Sequence, residues 1–158
     1  MFLASLILIL STAMLLFYFQ TACQRILRRK FDRDYSRSIV HANRLEFPAV
    51  QRSIVEFGNP VDYSRLRMTL RCDFLALTYL LKNAGNIRQR LTRDERLLII
   101  YSRSLFFSLF LRHLLRLGES PAILKLTAVL EYFANVVGQR VDRVRVGNLT
   151  PSDYLLSL

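Results

Sequence analysis

Three hydrophobic patterns divide this chain. In the first, residues 2–19 are apolar apart from Ser5, Ser11, Thr12 and the phenol of Tyr18, and no charged side chain precedes Arg25. A helix of about 20 residues rises about 30 Å, the thickness of a hydrocarbon core. The pattern predicts a transmembrane helix over residues 1–24, with Tyr18 near its interfacial end, where a ring with a polar tip is favoured. In the second pattern apolar residues recur every three or four positions, the mark of a helix with one buried face. Leu66, Leu70, Phe74, Leu77 and Leu81 form such a stripe over residues 62–84, opposite Arg67, Arg71, Thr78 and Lys82. Ile123, Leu126, Leu130, Phe133, Ala134 and Val137 form another, opposite Lys125, Glu131, Asn135 and Gln139. The third pattern, residues 97–111, is apolar almost all round and predicts the central helix of a bundle.

Start and stop signals set the boundaries. Pro48 opens a short helix that Gly58, Asn59 and Pro60 stop. Gly85 caps the helix over 62–84. Thr92 and Glu95 form a capping box, Asp94 and Glu95 suit the positive helix start, and Arg112, His113 and Arg116 suit its negative end before Gly118 closes it. Ser120 and Pro121 open the next helix and Gly138 ends it. Residues 139–146 alternate loosely between Val and Arg, as an extended edge or one irregular turn, and Thr150 with Pro151 opens a last short helix. Residues 25–45 read as a continuation of the first helix, with Arg28 four residues before Asp32 and Lys30 four before Asp34. The expectation is an all-α chain: a single transmembrane helix (1–24), a basic juxtamembrane helix (25–45), and a bundle of four to five helices (46–158) long enough to bury its own core.

Charge sharpens this picture. The 158 residues are 52% apolar, which excludes general disorder, and carry 23 basic against 12 acidic side chains, a net charge of +11. Residues 25–45 hold seven basic and two acidic side chains, so charge is steepest just after the neutral segment. Positive flanks resist translocation, which predicts a single pass through the cell (inner) membrane with the body cytoplasmic. A cleaved signal sequence would carry positive charge ahead of its apolar core, and none stands there. Ala22 suits a lipoprotein signal ending at Cys23, but Gln20 occupies the place of an aliphatic residue. Ala4 with Ser11, and Ser5 with Thr12, are small residues at seven-residue spacing, which leaves a homo-oligomer open although there is no GxxxG. A second span near 97–117 is opposed by Arg103, since a mid-bilayer arginine costs about 2.5–3.5 kcal/mol.

Little in the sequence points to catalysis. His41, His113, Cys23 and Cys72 show no short ligand spacing, so neither metal nor cofactor is expected. There is no nucleophile elbow, glycine-rich phosphate loop or paired acid and base, and Cys72 reads as a small core residue. Asp73 sits at the edge of an apolar stripe, where a carboxylate needs a partner; Arg103 and Arg112 are the expected ones, in a structural ion pair. Arg25, Arg28, Arg29, Lys30 and Arg33 are the candidate contacts to anionic lipid head groups. Arg88, Arg90, Arg93 and Arg96 form a second cluster that would supply nucleic-acid affinity, but no nucleic-acid fold signature accompanies them. The expected function is a membrane-anchored protein-interaction module, not an enzyme; the alternative is a tethered nucleic-acid binder or an enzyme with a dispersed site.

Overall fold

A computed structural model describes residues 2–31, 33–57, 62–83 and 91–147. All secondary structure among them is helical: α1 (Phe2–Leu27), α2 (Ser36–Asn43), α3 (Phe47–Phe57), α4 (Tyr63–Asn83), α5 (Arg93–Leu114) and α6 (Ser120–Gly147). The segments holding Gly85, Arg88, Arg90 and the expected last helix after Thr150 lie outside the described residues.

The juxtamembrane stretch does not continue the first helix. α1 ends at Leu27 and the chain turns before α2 begins at Ser36. The reason is a polar junction that straight helix would destroy. Asn135 Oδ1 on α6 accepts from Tyr35 N–H (2.9 Å) and Ser36 N–H (3.0 Å), and Asp34 Oδ1 accepts from Ser36 Oγ (2.6 Å). Asp34 therefore starts α2 instead of pairing with Lys30.

The central helix is α6, not α5, because α6 packs against each of the other five. Ile123, Leu126, Val129, Leu130, Phe133 and Ala134 are fully buried there. α6 also runs straight through Gly138 and the expected edge at 139–146. Gly138 lets another helix come close: a Cβ at that position would run into the Tyr35 Cβ and meet Ile39 Cγ1 at 3.3 Å. The alternating Val and Arg residues that follow are helical positions, and Arg140 points inward.

Asp73 is not drawn to an arginine. Its Oδ2 accepts from Glu46 N–H (3.0 Å) and Phe47 N–H (2.7 Å), capping the start of α3 from a neighbouring helix. Arg112 instead donates from Nη1 to Gly118 O (2.9 Å), and Arg103 is exposed. Two free amides at a helix start bind a carboxylate with less side-chain ordering than a long arginine requires.

The ends of α5 behave differently from each other. The capping box forms as expected, with Glu95 N–H donating to Thr92 Oγ1 (3.3 Å) and Thr92 N–H to Glu95 Oε2 (3.0 Å). At the other end the left-handed residue is Arg116 (φ 53°), with Leu117 N–H reaching Arg112 O (2.8 Å); Gly118 lies beyond the cap.

Candidate membrane interface

α1 has two zones. From Leu3 to Tyr18 every side chain is exposed, with Leu3 at 76% and Tyr18 at 77%. From Phe19 onward the helix joins the bundle: Cys23 is fully buried, and Phe19, Ile26 and Leu27 pack on the core. Phe19 meets Tyr101 edge-on at 6.1 Å, and Arg29 reaches Asp94 at 3.5 Å, so this end of α1 runs antiparallel to α5. Within the apolar helix, Thr12 Oγ1 donates to Leu8 O (2.8 Å) and Thr21 Oγ1 to Phe17 O (2.9 Å). Those hydroxyls are satisfied by their own backbone, as hydrocarbon surroundings require.

Among the described residues, three helices are long and apolar enough to cross a membrane: residues Leu3–Leu27, Arg93–Leu114 and Ser120–Val144. They differ in what their apolar surface already touches. In the apolar 18-residue stretch of each, none of α1 is buried in the protein, against 28% for α5 and 67% for α6. α6 thus spends its apolarity on the core. α5 is intermediate: Leu98, Leu105 and Leu109 face inward, while Ile100, Phe107, Leu111 and Leu114 form an outward stripe at spacings of 7, 4 and 3.

Arg25, Arg28, Arg29, Lys30 and Arg33 are all exposed at the end of α1 and just beyond it. Arg29 and Lys30 come together with Arg140 and Arg143 around a cavity of about 450 Å³, which Asp94 and Glu95 also line; Arg25, Arg28 and Arg33 stand outside it. Behind this cavity lies a pair the sequence gave no sign of. Arg140 Nη2 contacts Glu95 Oε1 at 2.5 Å while its Nη1 donates to Leu81 O, tying the ends of α4 and α5 to the middle of α6. The capping box accounts for Glu95 on its own, so its second partner was invisible without the α6 register.

The remaining candidates are scattered. His113 Nδ1 lies 2.7 Å from Glu119 Oε1 and its ring stacks on Tyr63 at 3.7 Å, while His41 is exposed on α2. Cys72 is exposed rather than in the core. Among the described residues no three His, Cys, Asp or Glu side chains gather as a metal-binding group. Comparison with family models, curated proteins and solved structures returned no match.

Proposed function

We propose that this chain is a membrane-anchored helical interaction module. α1 crosses the bilayer once, its basic flank lies among head groups on the cytoplasmic side, and the bundle docks a protein partner as a scaffold, assembly factor or accessory subunit of a membrane complex. The observation that carries the anchor is the wholly uncovered apolar surface of residues 3–18. Leaving such a surface in water costs about 25 cal/mol per Å², and lipid removes that cost without any protein contact. Arg25, Arg28, Arg29, Lys30 and Arg33 then stand where anionic head groups contribute about 1 kcal/mol each. The exposed stripe on α5 supports the docking role, since large apolar patches mark interaction surfaces.

Alkaline extraction of membranes tests the anchor. The full chain is expected in the pellet. The double variant Ile9→Arg, Met14→Arg is expected in the supernatant, because each arginine costs about 2.5–3.5 kcal/mol inside the bilayer. Equal retention of both would reject the reading.

The length and outward stripe of α5 favour a second reading, in which α5 and α6 form a further membrane hairpin. The two part at the α5–α6 turn. In a Cys72→Ser background, Leu117→Cys is shielded from an impermeant maleimide outside intact cells if α1 is the only span. It is labelled if the hairpin crosses.

A further inference from the structure

A groove between α4 and α5 gathers three arginines. It encloses about 380 Å³ and is lined by Arg67, Arg71 and Leu75 from α4, Phe106 and Arg103 from α5, and Phe74 at its floor. Among the described residues no carboxylate lines it: the one acid of α4, Asp73, is turned to the start of α3, and the acids of α5, Asp94 and Glu95, lie at its far beginning. Among the described residues none of the three arginines is in an ion pair. Arg67 is held over the Phe110 ring at 5.6 Å, a contact that orders its guanidinium and leaves its charge unneutralised. Three like charges around one opening repel each other, and an anion seated between them removes that repulsion.

The chemistry of the lining selects the anion. A guanidinium presents a planar fork that matches phosphate oxygens two at a time. Three forks need more acceptor oxygens than the two of a carboxylate or a phosphodiester, and a phosphate monoester supplies three. Phe74, Phe106 and Leu75 make the remaining wall apolar. We propose that this groove binds a phosphate monoester borne on an apolar chain, as in phosphatidic acid, with Arg67, Arg71 and Arg103 as its ligands. The site is separate from the basic flank of α1. It draws on the membrane-anchor reading only for the supply of lipid.

The test uses the full chain in nonionic detergent, so the groove is read whether or not α1 spans a bilayer. Native mass spectrometry with short-chain phosphatidic acid is expected to retain one lipid per chain, and short-chain phosphatidylcholine to be retained far less. Arg71→Gln and Arg103→Gln, each a surface change, are each expected to weaken retention about tenfold or more, the size of one lost charge-assisted bond. Arg52→Gln on α3 is the control and is expected to retain lipid as the parent does. Inorganic phosphate at millimolar concentration is the second probe. Little displacement of the lipid supports the amphipathic ligand; binding as tight as the lipid's, with the same dependence on the arginines, overturns the lipid half in favour of free phosphate. Retention unchanged in both arginine variants, with circular dichroism showing them folded, overturns the proposal entirely.

Discussion

At the scale of single residues, several positions act through the backbone rather than through their own chemistry. Gly138 is a spacer: Gly138→Ala is expected to destabilise the bundle by about 1–3 kcal/mol, the usual cost of overpacking, because α2 is tied to α6 by Asn135 and cannot retreat freely. Chemical denaturation in detergent, followed by circular dichroism, measures it. Asp73 and Asp62 both cap helices, but the Phe47 amide served by Asp73 is buried while Asp62 caps Ser64 (3.0 Å) in solvent. Asp73→Ala is expected to cost about 2 kcal/mol and Asp62→Ala about 1 kcal/mol or less in the same assay, since buried donors left unpaired pay their full desolvation. Burial also pushes the Asp73 carboxyl above its ordinary value, against the lowering effect of the two amide bonds. Between the ordinary and the raised value the folded chain then binds more protons than the unfolded one, so this group's contribution to stability falls as pH rises through that window. The stability difference between the parent and Asp73→Asn is expected to move in the parent's favour as pH drops from neutral toward the ordinary carboxylate range; a flat difference contradicts it.

At the scale of elements, periodicity reported most of the helices and failed where a local signal had two explanations. The stripes on α4 and α6 and the box that opens α5 were legible because one helix supplies the whole signal. Gly138 looked like a terminator, and only the approach of Tyr35 shows why a glycine stands inside α6. The all-round apolarity of α5 suggested a central place, but an outward stripe produces the same composition as a second buried face. Asp73 invited a search for opposite charge, while its partners are amides, which every residue carries. Arg140 read as one member of an alternating Val and Arg run, yet it joins three helices. Breaking a buried ion pair from one side costs about 3–5 kcal/mol. Arg140→Met is therefore expected to destabilise by about that much, and Arg140→Met with Glu95→Met by clearly less than the two single changes together. Additive losses in that double-mutant cycle would mean the pair is not coupled.

At the scale of the whole molecule, the exposed apolar segment and the bundle share a helix. Because Cys23 is buried and Phe19 packs on Tyr101, the exposed and docked zones of α1 are one continuous rod rather than a domain on a loose tether. If α1 spans a bilayer as proposed, the bundle is thereby held close to its surface, with the basic flank at the boundary. The long apolar helix and the basic run after it could be read from sequence, since length and charge order carry them. The docking of α1 on α5 could not, because it depends on side chains meeting across the fold. The central claim is that residues 3–18 lie in lipid, and spin labels placed one at a time along them in liposomes test it most directly. Oxygen accessibility is expected to peak near Ile9 and Leu10 and fall toward Tyr18, with a soluble nickel complex showing the inverse profile. High nickel accessibility at every position would contradict the account.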